Sequence, residues 1–252
     1  MKHITISFII LSFLFLSCKQ KINYSEDIQG KWLCQEIKEI ESKPFIIPTN
    51  DAFTVQFNAD ANLKLSKGYA FNLKDKLWVE KNFTYTIEKE KLLITGKNAL
   101  DEQVELSLTI EQLTSMAMTC KEIYYKVNNE EKEAGRTFYF TKIYKNYEKE
   151  ILGKWEVSNT AKPDTFAFAK YVFLENNKLN IYELENDELQ YETEYFLNGE
   201  LLSINYSIDS DNHNYRCWLI QSFSKDLILI RNWQAMPSSH DLQGTTYKLK
   251  KN

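Results

Sequence analysis

The chain is poor in the residue types on which most catalytic and phosphate-binding motifs depend. It contains seven glycines and three histidines in 252 residues. The glycines form neither a P-loop nor a dinucleotide-binding pattern, and no serine lies in a nucleophile elbow. Neither His213 nor His240 has a cysteine or carboxylate at a convincing metal-ligand spacing. We therefore expect a protein with no enzymatic activity, no cofactor and no bound metal.

Charge patterning argues against two further classes of function. The chain has 35 acidic and 31 basic residues, and no basic face is interleaved with aromatic residues, so nucleic acid is not an expected partner. Alternation puts Glu192 and Glu194 on one strand face, where glycoside chemistry could use them, but a solvated face is the simpler interpretation. Asp209, Asp211 and His213 could bind a metal ion, although an acidic turn explains them better.

Cysteine is scarce, and an odd number of thiols follows residue 18. These are Cys34, Cys120 and Cys217, so at least one of them has no partner for a disulfide. A bridge between Cys34 and Cys120 is one alternative, because both occupy inward-facing positions in one half of the chain. The other alternative is that all three are buried thiols acting as small apolar side chains.

The first residues have the pattern of an export signal. Lys2 precedes an uncharged apolar stretch, residues 4–16, that is too short to span a bilayer comfortably. The segment Phe-Leu-Ser-Cys ending at Cys18 resembles a bacterial lipobox, although Phe15 stands where leucine is more usual. The resemblance implies that residues 1–17 are a lipoprotein signal peptide and that Cys18 is acylated, with palmitate among its chains, anchoring the protein to a membrane of the bacterial cell envelope. The alternative is an ordinary signal peptide with an incidental cysteine.

A repeated motif divides the rest of the chain into two copies of one unit. Ile-Gln-Gly-Lys-Trp at residues 28–32 returns as Ile-Leu-Gly-Lys-Trp at residues 151–155. Both copies continue as short runs that alternate with period two, and neither sustains the spacing of an amphipathic helix. We predict an all-β protein with a short polar tether, residues 18–27, and two antiparallel up-and-down barrels of about eight strands, residues 28–144 and 150–252.

Several blocks within the two copies align. Val55 and Phe57 match Tyr171 and Phe173, each pair preceding a polar turn, and an Asn-Gly hairpin signal at 198–199 supports the antiparallel order. Further along the chain, Tyr85 aligns with Tyr195 and Ile110 with Ile220. Met116 aligns with Leu227, Met118 with Leu229 and Cys120 with Arg231. Residues 137–139 align with residues 245–247.

Both halves resemble bacterial lipocalin-like domains. The resemblance lies in Gly30 and Trp32, and again in Gly153 and Trp155, at the first strand of each copy. It implies that the glycine lets the chain enter the barrel and that the tryptophan closes one end. It also implies an arginine or lysine near the last strands over the tryptophan ring. Arg136 could take this role for Trp32 and Arg231 for Trp155, but the two arginines occupy non-equivalent positions, so we expect at most one of them to do so.

Two functions from different classes remain open. In the first, a barrel holds a small apolar or amphipathic ligand; its expected lining residues are Phe53, Val55, Phe57, Tyr85, Met116 and Met118. In the second, side chains fill both barrels and the protein acts as an interaction scaffold for another envelope protein. A crevice between the barrels is a further candidate site, because ligand sites favour domain interfaces.

Three tryptophans and one arginine have no fixed role in the repeat. Trp78 and Trp233 lie in or beside loops, where they could border a ligand mouth or pack over a barrel end. Trp218 is the third. Arg231 continues the inward parity of the preceding leucines, so it could clamp Trp155, bind a ligand carboxylate or reach solvent at the rim.

Overall fold

A computed structural model describes residues 22–49, 51–72, 77–98, 100–159, 169–183, 187–205, 215–234 and 242–252. Cys18, His213, His240 and the acidic positions Asp209 and Asp211 lie outside these ranges. The described chain is mostly β-strand and forms two closed antiparallel barrels in tandem. The all-β, two-barrel architecture predicted from the sequence is confirmed.

Barrel 1 contains eight strands, with two short strands attached. Its elements are β1 Gly30–Lys38, β2 Phe45–Ile46, β3 Phe53–Phe57, β4 Asn62–Asn72, β5 Leu77–Glu88, β6 Lys91–Lys97, β7 Gln103–Leu113, β8 Ala117–Val127, β9 Glu130–Lys132 and β10 Thr137–Ile143. The strands β1, β3 to β8 and β10 pair in order, and β10 pairs with both β8 and β1 to close the barrel. Short β2 pairs with β1, and β9 with β8.

Barrel 2 repeats this plan with eight strands in its described residues. Its elements are β11 Gly153–Asn159, β12 Ala169–Phe173, β13 Lys178–Glu183, β14 Leu189–Asn198, β15 Leu201–Asn205, β16 Tyr215–Phe223, β17 Asp226–Gln234 and β18 Leu242–Lys251. A single turn of 3-10 helix, Glu175–Asn177, connects β12 to β13. Pairing of β11 with β18 closes the sheet, which leaves no unpaired edge.

The same irregularities occur at matching places in the two barrels. The first strands, β1 and β11, both shift register against the last strand, after Cys34 and after Val157. The strands β7 and β16 shift after Ile110 and Ile220, whose amides donate to the carbonyls of Glu90 and Glu200 at 2.7 Å. The repeat is therefore present in the structure as well as in the sequence.

The structure corrects the alignment of the last two strands, by one residue in the last strand and by two residues in the strand before it. Trp32 pairs with Lys142, and Trp155 pairs with Lys251, so the lysines are the equivalent positions. Met118 pairs with Phe140 in barrel 1, as Leu227 pairs with Leu249 in barrel 2. Met118 consequently corresponds to Leu227 and not to Leu229. The sequence alignment was displaced because it placed its extra residue in the preceding turn of barrel 2.

The repeat also begins before the motif by which it was recognised. Asn-Tyr at residues 23–24 recurs at residues 146–147, in both cases just ahead of the isoleucine. Tyr24 starts a short helix, α1 Tyr24–Asp27, and packs against the core of barrel 1. Tyr147 is buried and stacks on Phe223 of barrel 2, with ring centroids 4.9 Å apart. Part of the tether and part of the linker thus belong to the barrels.

The two barrels pack against each other. Their shared apolar cluster consists of Leu33, Ile47 and Ala52 from barrel 1 and Leu201 and Cys217 from barrel 2. All five side chains are buried. A crevice between the barrels was a candidate binding site. At this contact, the space between the barrels is instead filled by side chains from both of them.

Hydrogen bonds reinforce this apolar contact. The hydroxyl of Thr49 donates to the carbonyl oxygens of Cys217 at 3.0 Å and of Asn232 at 3.2 Å, and the Thr49 amide donates to Asn232 at 3.0 Å. Thr49 is 1 % exposed. Its polar groups are thereby satisfied inside the interface, as buried polar groups require.

Candidate functional site

A tryptophan closes one end of each barrel. Trp32 and Trp155 are both fully buried. Each indole nitrogen donates to a backbone carbonyl four residues earlier, that of Ile28 or Ile151, at 2.7 Å. We call this end of each barrel the base and the opposite end the mouth.

A lysine from the last strand covers each tryptophan. The Lys142 Nζ lies 4.5 Å from the ring centroid of Trp32, and the Lys251 Nζ lies 5.2 Å from that of Trp155. Both ammonium groups also donate to backbone carbonyls just before the first strand, Lys142 to Gln29 and Lys251 to Glu150. Burial lowers the pKa of Lys142. Each base is thus sealed by an aromatic ring, a cation and the carbonyls of the entering chain.

The arginines expected in this role lie elsewhere. Arg136 forms an ion pair with Glu122 and lies 5.6 Å above the ring of Phe138, and Lys142 takes the position over Trp32. Arg231 pairs with Thr245 on β18, whereas Lys251 covers Trp155. The expectation failed because the arginines were chosen as basic residues near the last strands, whereas Arg136 precedes β10 and Arg231 lies on β17. The residues that pair with the tryptophans are Lys142 on β10 and Lys251 on β18.

The two motif glycines leave space for these lysines. Gly30 has φ +110° and Gly153 has φ +114°, a region that residues with a side chain rarely adopt. A Cβ at Gly30 would lie 3.0 Å from Cε of Lys142, and one at Gly153 would lie 3.3 Å from Cε of Lys251. Each glycine therefore serves both the backbone turn and the approach of the lysine.

Barrel 1 encloses a cavity above its tryptophan. The cavity has a volume of about 250 Å³. Its lining residues are Phe53, Val55, Phe57, Leu63, Leu65, Phe83, Leu92, Ile94, Asn98, Val104, Leu106, Leu108, Met118, Cys120, Tyr125, Phe138 and Phe140. It extends towards the mouth, since Asn98 directly follows β6 at that end.

The wall of this cavity is almost entirely apolar. Among the described residues that line it, none is charged, and only Asn98, Cys120 and Tyr125 contribute polar side-chain atoms. The carboxamide of Asn98 is engaged within its own turn: Nδ2 donates to the Glu102 carboxylate at 2.7 Å, and Oδ1 accepts from the Leu100 amide at 2.9 Å. The cavity can therefore hold an uncharged, apolar group without leaving a buried charge unpaired.

Barrel 2 is filled by its own side chains. The space among Val157, Tyr171, Phe173, Ile204, Trp218, Leu229, Tyr247 and Leu249 amounts to about 10 Å³, roughly the room of one water molecule. Larger residues account for the difference. Trp218 stands where barrel 1 has Leu108, and Tyr171 stands where barrel 1 has Val55. Barrel 1 therefore contains an apolar cavity, which we call the cup, whereas the described side chains of barrel 2 pack its interior.

A larger depression on the outer face of barrel 2 has a different character. It has a volume of about 480 Å³ and is lined mainly by polar residues of β13 and β14. Glu192 and Glu194 are exposed there, and Glu194 accepts a hydrogen bond from Lys178 at 3.3 Å. This solvated surface offers little apolar area, in contrast to the cavity of barrel 1.

The structure places four of the six expected lining residues on the cavity wall. Those four are Phe53, Val55, Phe57 and Met118. Tyr85 is buried below the cavity, where its hydroxyl donates to the Asn58 carbonyl at 2.7 Å. Met116 differs from expectation: it is 64 % exposed in the turn between β7 and β8. The Thr114 hydroxyl caps that turn and interrupts the alternation.

The remaining tryptophans and Arg231 lie at separate places in the two barrels. Trp218 is 3 % exposed in the core of barrel 2. Trp78 lies in β5 opposite Phe71, and Trp233 lies in β17 opposite Gln243; their side chains fall outside the described part of the structure. Arg231 is half-buried, and its Nε has no hydrogen-bond partner among the described residues.

An ion pair at the mouth of barrel 1 escaped the sequence analysis. The Glu122 carboxylate is fully buried and accepts from Nε of Arg136 at 3.0 Å and from Nη2 at 2.8 Å. The amides of Gly135 and Arg136 also donate to it, at 3.2 Å. Four donors thus hold one carboxylate. One signal for it was present in the sequence: Glu122 follows Met118 and Cys120 at intervals of two residues, so strand alternation puts its side chain on the same inward face.

The three described cysteines are buried and form no disulfide with one another. Cys34 and Cys120 lie on strands separated by β10, so no bridge joins them. Burial raises the pKa of Cys34 to about 12 and that of Cys217 to about 11. It raises the pKa of Cys120 as well. These thiols therefore contribute apolar packing and not nucleophiles.

Comparison with known proteins gives no relatives: no protein-family model matches the chain, and no curated protein matches it. Within the described ranges, no helix is long and apolar enough to cross a membrane. In the same ranges, no group of three or more histidine, cysteine or acidic side chains is arranged to hold a metal ion.

Proposed function

We propose that the protein is a non-catalytic lipoprotein of the bacterial cell envelope that holds a small apolar or amphipathic molecule in barrel 1. The observation that carries this proposal is the apolar cavity of about 250 Å³ in barrel 1. An apolar cavity of about 150 Å³ suffices to bind benzene in another protein. The cup of barrel 1 is therefore large enough for a ring system or the chain of an amphiphile.

The difference between the barrels supports a division of roles. Both have the same closed base, but the space among the described core residues of barrel 2 amounts to only about 10 Å³. Filling by side chains stabilises a fold and removes the need for a ligand. Barrel 2 then serves as a rigid support for barrel 1. A scaffold with both barrels filled is not favoured, since the cavity of barrel 1 would have no purpose in it.

The two barrels also resemble lipocalin-like domains in their motif, strand order and sealed base. We propose that they belong to this broad structural class. The support comes from Gly30 with Trp32, from Gly153 with Trp155, and from the lysine over each ring. Barrels of this kind host unrelated functions, so the ligand assignment depends on the cavity and not on the class.

A cavity-filling substitution tests the ligand site. Leu106 lines the cavity, so Leu106→Trp should weaken binding of a medium-chain alcohol about tenfold or more by occupying its volume. Leu100→Trp adds the same side chain at a position that is 62 % exposed outside the cavity, and binding should be unchanged. Bound mass measured by native mass spectrometry gives the readout. Equal binding by both variants would contradict the proposal.

The lipid anchor is tested separately. Metabolic labelling with an alkyne-bearing palmitate should mark the wild-type chain, and Cys18→Ala should abolish the label and release the protein from the membrane fraction. An unlabelled wild-type chain would refute the anchor and leave the ligand site unaffected.

A further inference from the structure

We infer that the base of barrel 1 rests on the membrane, so that the cup opens away from the bilayer. This inference depends on the lipid anchor proposed above. It concerns an interaction surface made by the turn between β7 and β8, the end of β10 and the start of the described chain.

The first support is where the described chain begins. Ile22 lies two residues before the start of α1, which contacts β5, and Tyr24 packs against the barrel core. The chain then passes through Ile28, whose carbonyl accepts the bond from Trp32. The segment leading from Cys18 therefore enters the molecule at the base of barrel 1.

The second support is the length of chain between the anchor and the base. Four residue steps separate Cys18 from Ile22, and they span at most about 14 Å. The nine residues of β1 extend about 26 Å along the strand, which a usual barrel tilt reduces to a height of about 20 Å. Because the tether is shorter than the barrel is tall, an anchored Cys18 keeps the base near the bilayer and the mouth away from it.

The third support is the apolar surface exposed at the base. Met116 and Tyr144 are each 64 % exposed, and Ile22 is 40 % exposed. Met116 and Tyr144 lie close together, because the Lys142 amide donates to the Met116 carbonyl at 2.8 Å and the Tyr144 hydroxyl contacts the Ser115 carbonyl. Lys142 also joins them to the entering chain, since its Nζ donates to the Asp27 and Gln29 carbonyls. Tyrosine is enriched at membrane–water interfaces, where its ring is apolar and its hydroxyl is wet.

Barrel 2 adds to the same surface. At the bases, Ile143 packs against Gly199, and nearer the mouths Thr49 bonds to Asn232. The barrels therefore stand side by side with both bases at the same end. Leu174, in the turn that ends β12 at the base of barrel 2, is 40 % exposed. Both mouths then face the aqueous compartment, from which the ligand must enter.

Apolar exposure alone does not select the base, since Leu100 is 62 % exposed at the mouth of barrel 1. This residue supplies the matched control. Met116→Cys and Leu100→Cys introduce one reactive thiol each, while Cys34, Cys120 and Cys217 are buried. A small environment-sensitive fluorophore on the new thiol reports its distance from lipid.

The experiment uses the full acylated chain in phosphatidylcholine vesicles with nitroxide-labelled acyl chains. We expect the fluorophore at position 116 to be quenched about twofold or more, and the one at position 100 to be almost unaffected. Tyr144→Cys provides a second reporter at the base. Quenching at 100 but not at 116, or at neither position, would overturn the orientation.

Mass analysis of the same preparation separates the two proposals. Acyl chains on Cys18 without quenching at position 116 would refute the orientation and preserve the anchor. A chain without acyl groups would refute both.

Discussion

Lysine and tryptophan form the unit that closes each barrel. The ring of Trp32 is fully buried, and Lys142 adds a cation above it together with donors to the Gln29 and Asp27 carbonyls. Lys251 does the same for Trp155 from a more exposed position, 5.2 Å from the ring. A cation over an aromatic ring stabilises more where water is excluded.

Removing these two cations should therefore lower the free energy of unfolding by unequal amounts. Lys142→Met retains the aliphatic stem but loses the charge and its donors, and should lower the free energy of unfolding by about 1–2 kcal/mol. Lys251→Met should cost about 0.5–1 kcal/mol because its site is more exposed. Urea denaturation measures both. The reverse ranking, or no loss in either variant, would show that the cations do not help to seal the bases.

The residues that form these units were only partly predictable. Gly30, Trp32 and their counterparts stand out because the motif occurs twice. The lysines do not stand out, since Lys and Arg together account for 31 residues and no spacing marks the two that matter. Only the register of the last strand against the first identifies Lys142 and Lys251, and that register depends on long-range pairing.

Strand alternation, at the scale of elements, predicted the sheet but not its interruptions. Period-two patterns gave the strands and their antiparallel order correctly. The same patterns placed Met116 inside the barrel, whereas the turn capped by Thr114 exposes it. A turn residue has no fixed parity, so alternation extended through a turn assigns the wrong face.

The hairpin between β14 and β15 of barrel 2 packs against barrel 1. Gly199 has φ +64° in this turn, and a Cβ there would overlap with Cγ2 of Ile143 at the end of β10. The glycine is thus required by the backbone and also by the neighbouring barrel.

A double-mutant cycle separates these two requirements. Gly199→Ala should destabilise the chain through both the backbone strain and the overlap. In an Ile143→Ala background the overlap is absent, so the same change should cost at least about 1 kcal/mol less. Unfolding free energies of the four variants provide the measurement. Additive costs would mean that the turn does not press on the first barrel.

The molecule as a whole combines one open and one filled barrel. Sequence predicted two similar barrels, and it could not decide which interior is filled, because free volume depends on how side chains from eight strands meet. Single substitutions make the difference: Trp218 in place of Leu108, and Tyr171 in place of Val55. Barrel 1 has an apolar cup of about 250 Å³, whereas the space among the described core residues of barrel 2 is about 10 Å³.

Two methionines allow the most direct measurement of this central claim. Met118 lies on the cavity wall and is 1 % exposed, whereas Met116 is 64 % exposed at the base of the same barrel. Methyl resonances of ¹³C-methionine-labelled protein should be followed during a titration with a medium-chain alcohol. We predict a saturable shift of the Met118 methyl with the Met116 methyl unchanged. An unmoved Met118 resonance at saturating alcohol, or equal shifts of both methyls, would contradict a ligand site inside barrel 1.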